Sequence, residues 1–346
     1  MDVRTLMEKI NVPDVFSKKV LDFLDTVSVS DYEAELAMIN DAEKRNDGFK
    51  ALTEKLGEDT DGSKIFALEM IGALKTYDMY KELGISDEIY FATMRAFRRQ
   101  LDESYTEEAG WVFDRGYWDV NHTSLTLFRI GELEYAFANK YGEDLLAVHI
   151  PSDAVLTDEN LDESFASARA FFRKYYPEAG ERRFTCGTWL LSPKLKDMLN
   201  ENSKILKFQN RFHIERSLGG DGCLSWLFGI RGKTLSDIDL TTLPEKTSLQ
   251  RSVKAAFLRG ENVGQYYGIY KEDDSTWNIR KGKYRHYKGS SYEVLAIAKN
   301  SETLEDTVVY RALYGNGEIW VRPAYMWCQR VRKDGVAVPR FEYVGE

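Results

Sequence analysis

The sequence predicts an α+β protein in three parts: a helical bundle, a mixed α/β sheet region and a small β-barrel. Three observations carry this reading. Apolar residues recur at helical spacing through residues 1–110. All seven Trp lie from Trp111 onward, and only Pro13 of the seven Pro precedes Pro151, so composition changes near Gly110. The last stretch, residues 279–346, consists of short alternating runs with an Asn-Gly turn signal. The expected parts are 1–110, 111–270 and 279–346, with a polar linker over 271–278.

In the first part, "SDYE" (Ser30 to Glu33) reads as a capping box, side chain and backbone satisfying each other across a helix start. Phe66, Met70, Leu74 and Tyr77 form one apolar stripe; Tyr90, Met94, Phe97 and Leu101 form another. Joined across "ELGISDE", the two stripes predict an αα-hairpin inside the bundle. From Trp111 the period shortens. "SLTLFRI" and "ELEYAF" flank Gly131 as strands, and "DLLAVHIP" is a buried strand ending at Pro151. A helix starts near Asp158 with Leu161, Phe165, Ala168 and Phe172 on one face. Then come a strand "RRFTCGTWLL", a short helix "KLKDML", a strand "KILKFQNRFHI" and a loop "RSLGGDG". A last helix carries a capping box, Thr247 with Gln250, and an apolar face of Leu249, Val253 and Phe257.

Composition bounds the function. At 346 residues, 43% hydrophobic and 30% charged, the chain reads as soluble and globular rather than disordered. Its apolar runs fall short of the ~18–20 residues a membrane span needs. "MDVRTLMEKINVPDVF" carries charge wherever a signal-peptide core would sit. A cytoplasmic protein with no membrane partner is expected. Cys186, Cys223 and Cys328 form no CxxC pair, and His122, His149, His213 and His286 show no ligand spacing, so no metal is expected.

Net charge is −9, unevenly spread. Arg280 to Lys333 holds eleven Lys/Arg against five Asp/Glu, leaving −15 for the rest. So acidic a body would repel phosphate, which disfavours nucleic acid as a general partner but leaves it open for the basic tail. In that tail, Val308, Tyr310 and Ala312 alternate with Val309, Arg311 and Leu313, which suits an SH3-like barrel with most rings in the core. "KYRHY" with Arg322 could still form an exposed basic-aromatic patch for nucleic acid, anion or peptide.

"LFRIGELEYAF", "VHIP", "FTCGTWLLSP", "KFQNRF" and "LPEKTSLQR" together resemble bacterial acyltransferase-domain proteins. These join a helical N-terminal domain to a GNAT-like (N-acetyltransferase-like) domain. The tail words, from "KGKYRHYKGSSYEV" to "GEIWVRP", resemble a separate small bacterial domain of unknown function. The resemblance implies transfer of an acyl group from acyl-CoA, as co-substrate, to an amine on a small molecule or peptide. Trp189, Asn210 and Arg211 carry over only as members of the shared words.

Such chemistry needs amides that cradle a pyrophosphate, a base for the attacking ammonium and an acid for the leaving thiolate. The loop in the cofactor position, "HIPSDAVLTDENL", has no glycine, Arg or Lys, and presents Asp153, Asp158 and Glu159. Ser152, Asp153 and Ala154 are its candidates for contact with the donor. Arg251 and Lys254, at i and i+3 on the last helix, could meet a 3′-phosphate or simply form a solvated face. His149, ending a buried strand at the carboxyl edge of the sheet, is the candidate base, or else a buried His bonded to a carbonyl. Glu134 is a second candidate base, or the wet face of an edge strand. Cys186 is a conceivable nucleophile beside His149, or a small core hydrophobe. A non-catalytic protein binding a small molecule or partner is the alternative to an enzyme.

Overall fold

The computed structural model describes residues 1–140, 142–271, 279–301, 306–328, 330–333 and 336–345. The chain divides into two compact units, Met1–Phe137 with Leu146–Glu181, and Ala138–Leu145 with Arg182–Glu346. Over 127–270 it forms helices and a mixed sheet.

The first unit opens with α1 (Val3–Lys9), α2 (Asp14–Leu24), α3 (Glu33–Ile39) and α4 (Arg45–Leu56). The expected capping box at Ser30 does not form. Val29–Tyr32 is a 3-10 turn, and the Ser30 hydroxyl lies 2.7 Å from that of Ser28 instead of on the start of α3. α5 (Ser63–Leu83) and α6 (Asp87–Ser104) make the expected hairpin, closed by Gly84 at φ 72° and reopened by Ser86, whose hydroxyl accepts from Ile89 N. Tyr90, Met94, Phe97 and Leu101 are all fully buried. On α5 the stripe drifts: Phe66 and Met70 are buried, but Ala73 and Tyr80 replace Leu74 and Tyr77. A repeat of four runs ahead of a 3.6-residue turn, so its later members rotate off the core face.

α7 (Gly116–Thr123) lies where the sequence suggested the start of strands. β1 (Leu127–Ile130) and β2 (Leu133–Lys140) then pair antiparallel across Gly131. β3 (Glu143–His149) follows, and α8 (Asp158–Tyr175) is capped by Thr157, with Leu161, Phe165, Ala168 and Phe172 buried as expected. Rings tie these elements together, Phe128 of β1 standing 4.9 Å from Phe171 of α8 and 6.0 Å from Tyr80 of α5.

In the second unit β4 (Phe184–Thr188) is shorter than expected, because Trp189–Leu191 and Pro193–Asp197 are 3-10 turns. "KILKFQNRFHI" is not one strand. Ser203 caps α9 (Lys204–Gln209), and only Phe212 onward extends, as β5 (Phe212–Gly219). "RSLGGDG" is likewise not a plain loop, since its first residues finish β5 and its last opens α10 (Gly222–Phe228). α11 (Ser248–Leu258) keeps the predicted capping box. β6 (Gln265–Tyr270) pairs antiparallel with both β4 and β5.

The tail holds β7 (Gly282–His286), β8 (Ser291–Lys299), β9 (Asp306–Ala312), β10 (Ile319–Pro323), α12 (Ala324–Trp327), β11 (Arg330–Lys333), β12 (Val336–Pro339) and β13 (Phe341–Gly345). The expected barrel is not closed. Five antiparallel strands run β10-β9-β8-β7-β13 as an open sheet, and β11-β12 is a separate hairpin. α12 covers one face instead, its Trp327 stacked on Phe341 at 3.8 Å in a core with Tyr284, Val294, Val308 and Tyr310. The β9–β10 turn is not the predicted type I′ at Asn316-Gly317, since positive φ falls on Gly315 and Gly317 and not on Asn316. Apart from Lys271, the predicted linker lies outside the described residues.

Candidate functional site

The first unit collects ionisable side chains where α5, α6 and α7 meet β1, β2 and the loop after β3. Alternation along β2 would put Glu134 opposite Leu133 and Tyr135, but all three are buried. The expectation of a wet face fails because β2 is covered on both sides. Glu134 is 2% exposed, and its Oε1 lies 2.6 Å from Nη2 of Arg99 on α6 and 3.7 Å from Nε2 of His122 on α7. Burial alone would raise the Glu134 carboxyl, but the Arg99 and His122 charges outweigh it and hold the group well below the carboxylate range. A carboxylate so stabilised is a weak base.

Beneath it, Nδ1 of His122 lies 3.0 Å from Oδ1 of Asp119, which also accepts from Gln100 Nε2 at 2.7 Å. Burial would lower the imidazole, yet Asp119 and Glu134 raise it to about 9, so it carries its proton at neutral pH. Glu69, buried on α5, goes the other way: burial first and the Asp119 charge second push its carboxyl up. Among the described residues neither Glu69 oxygen has a hydrogen-bond partner. The set is a layered network of Arg99, Glu134, His122 and Asp119 over Glu69, whose carboxyl burial pushes upward.

Toward solvent the network reaches the loop after β3. Arg129 of β1 donates from Nη1 to Asp153 Oδ1 at 2.9 Å and from Nε to the Gly131 carbonyl at 2.8 Å, and Arg99 Nη1 lies 3.7 Å from the same Asp153 oxygen. Ser152 donates to Glu103. The Ala154 amide donates to the Pro151 carbonyl at 3.1 Å, and the Val155 amide to Glu132 at 2.8 Å. His149 ends β3 half-buried, its ring 5.0 Å from Trp118 in an edge-to-face contact.

The structure thus brings Glu134, Ser152, Asp153 and Ala154 into one connected region of the first unit. His149 lies in the same unit, against Trp118, whereas Cys186, Arg251 and Lys254 lie in the second. Cys186 is 2% exposed, with burial pushing its thiol up to about 12, so the group stays an inert hydrophobe. Lys254 is not on a solvated face: its ammonium is spent on the Thr241 carbonyl at 2.7 Å, the Leu243 carbonyl at 2.8 Å and Glu245 at 2.8 Å. Arg251 donates to the Glu245 carbonyl at 2.9 Å. Sequence reasoning missed Glu69, Arg99, Asp119 and His122 as a set. Only Asp119-x-x-His122, at i and i+3, left a local trace.

Comparison with known proteins matches residues 1–125 to an N-acyltransferase N-terminal domain and residues 127–270 to a GNAT-like C-terminal domain. Residues 282–343 match a protein family of unknown function, DUF1653. No curated protein matches the chain. Among solved structures it is similar to an acyltransferase in complex with decanoyl-CoA and teicoplanin, at 21% identity and TM-score 0.64 over 78% of this chain and 87% of that one. An acyltransferase complex with CoA and 10C-teicoplanin is similar at 20% identity and TM-score 0.63, with the same coverage. No helix among the described residues is long and apolar enough to cross a membrane.

Proposed function

For a chain that joins an N-acyltransferase N-terminal domain, a GNAT-like C-terminal domain and a DUF1653 domain, we propose transfer of an acyl group from acyl-CoA to an amine of a small molecule or peptide. The observation that carries the reading is His149, half-buried at the carboxyl end of β3 against Trp118, where α/β sheets gather ligands. The complexes of the similar acyltransferases with decanoyl-CoA and teicoplanin support the donor and the acceptor class.

In this reaction His149 takes a proton from the acceptor ammonium, freeing its lone pair. The nitrogen attacks the thioester carbonyl, a C–N bond forms and the C–S bond breaks. The thiolate leaves as CoA and takes up the proton that the new amide nitrogen sheds. Glu134, tied to Arg99, acts as a counter-charge and not as the base. Cys186 takes no part, so transfer is direct.

The glycine-free loop alters donor binding. With its Ala154 and Val155 amides already engaged, the groups suited to a pyrophosphate are the guanidiniums of Arg99 and Arg129, which both face Asp153. A phosphate oxygen would take the place of that carboxylate. Asp153→Asn then lowers the KM for acyl-CoA several-fold, whereas an unchanged or higher KM removes the Arg pair from the donor site.

The test is thiol release by the full chain with acetyl- or decanoyl-CoA and a panel of amines, with His149→Ala as control. Turnover lost in that variant supports the reading; turnover that survives removes His149 as base. The engaged loop amides favour a second reading, binding without transfer. Thermal unfolding reads binding alone, because a donor at 100 times its Kd adds ~2.7 kcal/mol whether or not transfer follows; stabilisation without thiol release is the outcome of that second reading.

A further inference from the structure

The tail sheet ends on an uncovered strand. Among the described residues no strand lies beyond β10, and Ile319, Trp320 and Val321 are 58%, 50% and 67% exposed. Three consecutive apolar side chains on an open edge form a template for another strand, a feature soluble proteins normally suppress with charge or a bulge. The backbone is set for pairing. The Ala312 amide donates to the Glu318 carbonyl at 2.9 Å, which turns Glu318 inward toward β9. A period of two then turns the amides and carbonyls of Trp320 and Arg322 inward as well, and those of Ile319 and Val321 outward. Pro323 takes the next outward position, where a missing N–H costs no bond to β9.

We propose that this edge pairs with the same edge of a second copy of the chain, antiparallel, with Trp320 on the two-fold axis. The choice of partner rests on charge. In that register Ile319 faces the partner's Val321 and donates and accepts through outward groups on both strands. Glu318 faces the partner's Arg322, and symmetry repeats the pair, so "EIWVR" is complementary to itself. Arg322 is held near this position by its guanidinium, 5.8 Å from the Phe341 ring centroid. One short strand per copy puts the contact at the small end of interfaces, so the dimer is weak and concentration-dependent.

Sedimentation of the full chain across a concentration series tests this. Wild type should shift from monomer to dimer. Glu318→Arg and Arg322→Glu, each alone, set like charges opposite twice and weaken the dimer by about tenfold or more. Mixed together, those two variants carry opposite charges on facing positions and should associate with each other more tightly than either does with itself. That rescue cannot arise from misfolding. A wild type that stays monomeric up to about 200 µM overturns the proposal. So does a dimer that both variants leave intact, or a mixture that gains nothing.

Discussion

His122 binds a proton more tightly folded than unfolded, and this fixes the sign of a pH effect. Its pKa rises from 6.5 to about 9 in the folded protein, so its stabilisation is full below about pH 6.5 and is lost as pH climbs through about 9. Glu69, also raised, adds a loss of the same sign that begins above its ordinary carboxylate value. Urea unfolding should show stability falling by up to about 1.4 kcal/mol per pH unit between 6.5 and 9, with the slope flattened in His122→Phe. A slope shared by that variant would assign the effect elsewhere. Glu134→Gln removes the carboxylate between Arg99 and His122, leaving the more distant Asp153 and Glu103 for one and Asp119 for the other, and should cost about 3 kcal/mol in the same assay. From sequence, Glu134 and His149 stood out because each ends or interrupts an apolar run. Arg99 and Glu134 lie 35 positions apart, and no short spacing announces a pair that only the packing of α6 on β1, with β2 beside it, creates.

Single elements carry their own tests. Thr247 and Gln250 close the start of α11 reciprocally at 3.1 Å each way, and Thr247→Ala should cost about 1 kcal/mol in chemical denaturation. Gly131 turns β1 into β2 at φ 62°, and a Cβ there would stand 3.0 Å from Ser164 Cβ. Gly131→Ala should therefore lose more than the ~1 kcal/mol typical of a left-handed position, because contact adds to conformation. Elements with long stripes or complete caps, such as α6, α8 and α11, were legible in the sequence. Short ones were not. "KILKF" is apolar enough for a strand, and only Ser203, with its hydroxyl on Ile205 N, marks the helix. The tail alternates as a barrel strand would, but alternation says which residues face inward, not whether α12 or a closing strand covers them.

Across the whole chain, the first compact unit does not stop where its family match does. The N-terminal match ends at 125, while the unit runs on through β1, β2 and α8. Thr93 on α6 takes the Arg129 amide at 3.0 Å, and Arg99 holds Glu134. Residues 1–125 expressed alone should thus show poorly dispersed NMR spectra; well-dispersed ones would mean the helices carry their own core. The bond set at Lys254 has a different consequence. The proposed reaction would bring thioesters near the protein's own amines, and an amine ringed by two carbonyls and a carboxylate is hard to reach. After prolonged exposure to acyl-CoA, peptide mass mapping should find acyl groups on open lysines such as Lys18 and Lys50, with Lys254 left bare.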